Sequence, residues 1–454
     1  MHISTSQWQI LLFALLVLAI MTCVAWAMSG KVTEEEYLIG GRNVPYGRLS
    51  AAIAAGVIGG GVLLVYTEYA FRFGLGALFI IAGIVAGTLL MVPAVKKFKQ
   101  CSDDQKFYSL PDLYHHFWGP RAALLATIII FMWTAGFILM QLISAGEVLL
   151  AMTGMPYSIG VVVAAGTVAS YLILKGFKAV VITDILQYGA LVVLLIVVFF
   201  PAAAQVDLRV ALIGAVSLSF DWGEAVGFFI LGCLNMLVSA DMWQRVYAAK
   251  DEASAKRAFK LAALLVALAG ILLLVPALFA RTQLPTVAPN AALFRTLELL
   301  LPSNMWLGFG LVGILATIIA CLDTMVFVFG ISVGHDVVVM RLAQPVEDRL
   351  RSTKISILLT LVMGAIISIV CRELMPLALA LSMLGLILAP AIVMAIFGKF
   401  LTRGAVELGM LLGLVTTALF LLTCFWHRDW LTPQNTLITL AFSILGTIIG
   451  QLRR

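Results

Sequence analysis

The chain has 454 residues, 62% of them apolar and 11% charged, with a net charge of +6. Soluble domains carry roughly 25% charged residues, so the composition excludes a soluble enzyme and indicates an all-α polytopic membrane protein surrounded by membrane lipid. The basic residues sit in short loops between apolar runs rather than on one face, which argues against nucleic acid as a partner. Six cysteines (Cys23, Cys101, Cys233, Cys321, Cys371 and Cys424) are scattered, mostly inside apolar runs. No spacing among them suggests a metal centre or a disulfide framework.

Segments of about 20 mostly apolar residues mark membrane spans. About thirteen are predicted, over 7–28, 50–72, 75–95, 122–152, 157–174, 179–201, 225–244, 260–280, 305–338, 353–371, 375–398, 404–426 and 432–451. The first lacks a basic leader and is too long for a signal peptide, so it reads as a retained helix. Segments 122–152 and 305–338 exceed one simple span and must tilt or project beyond the bilayer. The intervening loops are too short for an appended soluble domain. Of the 29 basic residues, only Arg72, Arg209, Arg281, Arg295, Arg372 and Arg428 fall on one side of this layout. The rest, Arg245 among them, fall on the other side, which predicts an outside N-terminus and a cytoplasmic C-terminus.

The stretch Ala52–Gly74 carries Gly56, Gly59, Gly60 and Gly61 near its middle, and the carboxylate Glu68 where hydrocarbon is expected. Glycine weakens a helix there, and irregular backbone at that depth persists only where protein or a cavity surrounds it. The stretch is either a tight packing face, since Gly56-x-x-x-Gly60 is a helix-contact pattern, or a broken helix at a binding site. Five spans later, Gly227–Gln244 is interrupted by Gly232, Asn235 and Ser239. An offset of five sets the two segments in opposite directions. Paired interruptions in inverted halves point to a transporter's central site.

Ionisable residues inside spans usually face the bundle interior. Glu68, Glu147, Asp184, Asp241, Asp323, Asp336 and Glu407 are the candidates. Asp241, Asp336 and Glu407 lie near segment ends and reach water or a basic neighbour in this reading; Glu68 has Arg72 one turn on. Asp323 is central, with no such relief. His115 and His116 read as surface residues of a cytoplasmic loop. No His/Asp/Glu metal cluster or Ser–Lys pair is placed for chemistry, so neither an enzymatic activity nor a cofactor is expected.

Four stretches resemble the sodium:solute symporter family. They are Glu36–Gly74 (EYLIGGRNVPYGRLSAAIAAGVIGGGV…FRFG), Lys178–Tyr188 (KAVVITDILQY), Trp243–Arg257 (WQRVYAAKDEASAKR) and Ala316–Asp336 (ATIIACLDTMVFVFGISVGHD). The resemblance implies a LeuT-like 5+5 inverted-repeat fold. An extra N-terminal helix would occupy 1–30, the first repeat 31–201, the second 202–398 and two C-terminal helices 399–454. It also implies a primary sodium site built from backbone carbonyls of Ala55, Ile58 and Thr317, with two hydroxyls expected at Ala320 and Cys321. Alanine offers no ligand and a thiol is soft, whereas a hard cation wants oxygen; a weakened or absent site is expected.

The family's auxiliary cation site maps to Asp184, Asp323 and Thr324. There, two close carboxylates either hold Na+ or share a proton. The substrate positions map to Gly61, Val62, Ile81, Gly232, Asn235 and Val266, too apolar for a ring of sugar hydroxyls. The expected function is secondary active transport of a small organic solute, an amino acid or short organic acid, with Glu68 as a gating candidate. The alternatives are a Na+-independent carrier, H+-coupled or facilitative, and a transporter-fold sensory module with a membrane or signalling partner.

Overall fold

The computed structural model describes residues 5–206, 222–301, 303–343, 345, 347–372, 380–381, 384–426 and 432–453. In chain order the helices are α1 (Thr5–Ser29), α2 (Glu34–Ile39), α3 (Tyr46–Val57), α4 (Gly60–Phe73), α5 (Leu78–Asp104), α6 (Leu110–Trp118), α7 (Pro120–Thr153), α8 (Tyr157–Lys175) and α9 (Phe177–Ala203). They continue as α10 (Trp222–Val238), α11 (Ala240–Ala248), α12 (Glu252–Gln283), α13 (Ala292–Leu300), α14 (Asn304–Ile331), α15 (Glu347–Val370), α16 (Ala389–Ile396), α17 (Arg403–Trp426) and α18 (Pro433–Leu452).

Among the described residues, ten helices are long and apolar enough to cross a membrane, or eleven if the bent pair α10–α11 forms one span. The sequence predicted thirteen. The difference lies at Gly60–Asp104, one span in that count, and at the segment 375–398, of which the apolar helical part Leu384–Ile396 is short. Yet α4 and α5 are separate helices. Gly74 (φ +60°, ψ −126°) ends α4 in a conformation suited to glycine, and a 3-10 turn over Gly74–Ala77 leads into α5. Arg209, Arg428 and Arg454 of the charge count, and much of segment 375–398, lie outside the described residues.

Both interrupted segments are broken. Helix α3 stops at Val57 and α4 restarts at Gly60, with Ile58 at φ −87°, ψ 60° between them. Helices α10 and α11 bend by 44° at Ser239. The short loop helices start on capping boxes, Thr33 with Glu36 for α2 and Ser109 with Asp112 for α6. The Thr33 backbone N–H, then Lys178, holds the Glu36 carboxyl below its usual range.

Helix α7 has 34 residues, about 50 Å at 1.5 Å per residue; it therefore projects beyond a hydrocarbon core of about 30 Å. Helix α14 runs into a π-helix over Ser332–Val339. The most apolar stretch of this combined span is wholly buried, so α14 is the axis of the bundle rather than a lipid-facing wall. Close packing beside it uses glycine. A Cβ added at Gly83 or Gly87 of α5 would lie 2.4 Å from the Phe229 carbonyl or 2.2 Å from the Cys233 carbonyl of α10, the approach that small residues permit between membrane helices.

Candidate functional site

The two breaks open onto one cavity of about 180 Å³. Its walls include Val62 and Val65 on α4, Trp133, Phe137 and Gln141 on α7, and Phe228 and Asn235 on α10. Gly61 and Gly232 also line it, as expected. Ile81 and Val266 are not among its lining residues. Ile81 faces Gly270 of α12, whose added Cβ would meet its Cγ2 at 2.7 Å, and Val266 is fully buried. The cavity wall also includes α7, on which none of the expected substrate positions lies.

At the break, the Gly60 N–H does not bond to a carbonyl of α3. It donates to Gln141 Oε1 at 3.0 Å, so a side chain of α7 caps the new helix. Helix α14 presses on the same point. A Cβ on Gly59 would lie 2.7 Å from Cys321 Cβ, and one on Gly60 would lie 2.6 Å from Ile318. The glycines therefore serve packing and breakage together. Of the expected primary sodium set, Ala55, Ile58, Thr317, Ala320 and Cys321 are all buried. The Thr317 hydroxyl donates back to Ile314 O at 2.8 Å. Ala320 offers no ligand, and Cys321 packs against Gly59.

Below the break lies an ionic cluster that changes the reading of Asp184, Asp323 and Thr324. The sequence placed Arg245 among the loop cations and Asp241 near an interface. The structure buries both to 1% exposure. Arg245 donates to Asp241 Oδ2 (2.6 Å), Ala52 O (3.1 Å), Thr324 Oγ1 (3.3 Å) and Asp184 Oδ2 (3.5 Å). A guanidinium thus joins α3, α9, α11 and α14 where two bare carboxylates were expected. Asp323 accepts from the Tyr171 hydroxyl of α8, with Thr183 Oγ1 at 3.5 Å. Asp184 Oδ1 and Asp323 Oδ1 are buried without a hydrogen-bond partner among the described residues. Arg245 thus bridges two of the three buried carboxylates, and Asp323 stands apart on Tyr171 and Thr183.

The remaining carboxylates divide. Glu68 pairs with Arg72 at 2.6 Å, and Glu147 pairs with Arg372 at 2.7 Å. Asp336 is buried rather than interfacial. Its Oδ1 accepts from Ser109 Oγ at 2.6 Å. Beside it, His335 Nε2 lies 2.9 and 3.0 Å from the Asp112 oxygens. Asp112, His335 and Asp336 place ligand-type atoms within 4.8 Å of one another, a cluster the sequence reading excluded. The π-turn explains it, because it brings two consecutive residues of the chain against α6. Burial pushes the Asp112 carboxyl up, but His335 and the N–H groups of Tyr108 and Ser109 outweigh it and hold that carboxyl below its usual range. His115 and His116 are exposed on α6, as expected.

Gln141, Arg245 and His335 were missed. Gln141 is a lone amide deep in an apolar segment, a signal as plain as a carboxylate there. Arg245 follows Asp241 by one helical turn, the spacing of an intrahelical ion pair.

A profile of the sodium:solute symporter family matches residues 37–413. The osmoregulated proline transporter OpuE of Bacillus subtilis (strain 168) is 26% identical over 193 residues, 39% of this chain and 38% of its own length. The high-affinity proline transporter PutP of the same organism is 25% identical over 185 residues, 38% of each chain. The matched stretches thus span well under half of these relatives. Among solved structures, a Na+-coupled sialic acid symporter in a substrate-bound outward-open state aligns with a TM-score of 0.81 at 16% identity, covering 99% of this chain and 96% of that one. The nucleobase-cation-symport-1 transporter Mhp1, in a closed conformation with bromovinylhydantoin bound, aligns with a TM-score of 0.60 at 13% identity, covering 92% and 94%. At these identities the likeness is one of fold: LeuT-like, all-helical and polytopic.

Proposed function

Because the chain belongs to the sodium:solute symporter family, we propose that it is a secondary transporter of a small, partly apolar organic solute carrying a carboxylate. Proline, the solute named for two relatives, is the first to test. The observation that carries this reading is the cavity at the paired breaks, walled largely by apolar side chains and touched by few polar groups. A sugar would leave hydroxyls unpaired against such walls. The two inverted halves, 31–201 and 202–398, would rock about this point with the N-terminus outside and the C-terminus in the cytoplasm.

The primary sodium site is weakened in this reading, because α14 supplies neither expected hydroxyl at Ala320 and Cys321. Coupling falls instead to the cluster of Asp184, Asp323 and Thr324, whose unpartnered carboxylate oxygens suit a monovalent cation, Na+ or H+. Uptake of labelled proline and other small amino acids into proteoliposomes, under separate Na+ and H+ gradients, tests it. Accumulation driven by one gradient and abolished by Asp323→Asn supports the reading. Accumulation that survives Asp323→Asn with unchanged gradient dependence overturns the relocated coupling. No uptake under any gradient overturns the amino-acid reading.

A further inference from the structure

We infer that Asp112, His335 and Asp336 form a site for a divalent transition-metal ion, Zn2+ in the first instance, that ties α6 to the π-turn following α14. The inference goes beyond the transport reading and does not rest on it. The three side chains are buried and place ligand-type atoms within 4.8 Å of one another. Ligands about 2.1 Å from a tetrahedral ion stand about 3.4 Å apart, so side-chain shifts of about 1 Å close the set. His335 and Asp336 are consecutive. The wide turn over Ser332–Val339, in which the Met340 N–H bonds to His335 O at 3.0 Å, lets both serve one site.

The hydrogen bonds around the cluster hold one oxygen of each carboxylate and leave the other. Asp112 Oδ2 accepts from the N–H groups of Tyr108 (2.7 Å) and Ser109 (3.1 Å). Asp112 Oδ1 faces His335 Nε2 at 2.9 Å. Asp336 Oδ1 accepts from Ser109 Oγ at 2.6 Å, and Asp336 Oδ2 is buried with no partner among the described residues. His335 Nδ1 is likewise buried and unpartnered among them; the two residues are 7% and 4% exposed. Supporting bonds of this kind orient the ligands of metal sites, and polar atoms left unmatched at such depth are costly.

Charge and donor type narrow the ion. Two carboxylates call for a doubly charged cation. An imidazole nitrogen among three protein ligands favours Zn2+ over Ca2+ or Mg2+, which take oxygen. The neighbouring guanidinium groups are engaged elsewhere: Arg349 pairs with Glu34 at 2.8 Å, and Arg341 donates to Pro120 O. A crevice of about 40 Å³, lined in part by Asp112, Asp336, Thr127 and the exposed His115, reaches the cluster. It has room for the water that completes a shell of three protein ligands.

The test uses the full chain in detergent, stripped with a chelator and titrated calorimetrically with Zn2+ alone. One Zn2+ per chain is expected, with a melting temperature that rises with Zn2+ concentration and does not respond to Ca2+. His335→Ala and Asp336→Asn should each weaken binding by more than about 100-fold, beyond the 10- to 100-fold cost of losing an outer-shell partner. Asp323→Asn should leave it unchanged; loss of binding there would move the ion to the central cluster and overturn the inference. Absence of stoichiometric Zn2+ binding, or equal affinity in His335→Ala, would overturn it as well. Should a variant fail to fold, X-ray absorption at the zinc edge of the wild type decides. One imidazole nitrogen with oxygens at about 2.0–2.2 Å supports the site; cysteine sulfur in the shell, or no imidazole, overturns it.

Discussion

Replacing Arg245 by methionine removes the only cation bonded within the Asp184–Asp241–Thr324 cluster among the described residues, while keeping much of its volume. At an effective dielectric of about 20, charges 4 Å apart attract by about 4 kcal/mol. The guanidinium stands 2.6 Å from Asp241 and 3.5 Å from Asp184. Burying it costs several kcal/mol in return, so the measured loss on breaking such a pair is about 3–5 kcal/mol. That is two to four orders of magnitude in the folding equilibrium, because the carboxylates stay behind unpaired. Denaturant titration of the purified protein in mixed micelles reads this directly. Lower pH or higher Na+ should restore part of the loss, since a proton or a cation can take the vacated charge. Neutralising the partners as well (Arg245→Met with Asp184→Asn and Asp241→Asn) should recover most of it. A loss under about 1 kcal/mol for the single variant, with no dependence on salt or pH, would refute the argument that Arg245 balances the cluster.

Other perturbations separate tight sites from loose ones. Gly56→Ala drives a Cβ to 2.7 Å from Arg245 Nη2; overpacking of this kind costs about 1–3 kcal/mol, visible in the same titration. Glu147→Gln breaks only a half-exposed pair with Arg372 and should change stability by less than about 1 kcal/mol. Asp112→Asn should cost about 1–3 kcal/mol at neutral pH. Because the folded carboxyl titrates below the unfolded value of about 3.9, its contribution is present above that pH and fades as pH falls through the folded value. The gap between Asp112→Asn and the wild type should therefore close in acid, as followed by thermal unfolding from pH 7 downward.

The broken helices were legible because glycine clusters and mid-span polar residues are local signals. Gly59–Gly61 and Ser239 mark the breaks in one dimension. Of the family-derived substrate positions, Gly61, Val62, Gly232 and Asn235 line the cavity, whereas Ile81 packs on Gly270 of α12 and Val266 is buried outside that lining. Gln141 escaped because attention to charge passes over a neutral amide. Arg245 escaped for the opposite reason. A cation just past the end of an apolar run looks like a loop anchor, and only tertiary structure reveals that α11 folds inward. The Asp112–His335–Asp336 cluster joins residues 223 positions apart through a π-turn, a register that helical periodicity does not announce.

The span Asn304–Val339 that α14 opens is strongly apolar, yet its most apolar stretch is wholly enclosed by protein. Lipid solvation in the finished fold cannot be what demands such greasiness. Insertion can. During synthesis each span must first partition into the bilayer on its own before helices associate, and a central aspartate costs about 2.5–3.5 kcal/mol at that stage. The leucines, isoleucines and valines around Asp323 offset the cost of carrying one carboxylate through the translocon. The apolar surplus of α14 is thus a record of its passage into the membrane. Polar substitutions added along it should first show themselves as failed insertion, before any change at the assembled site.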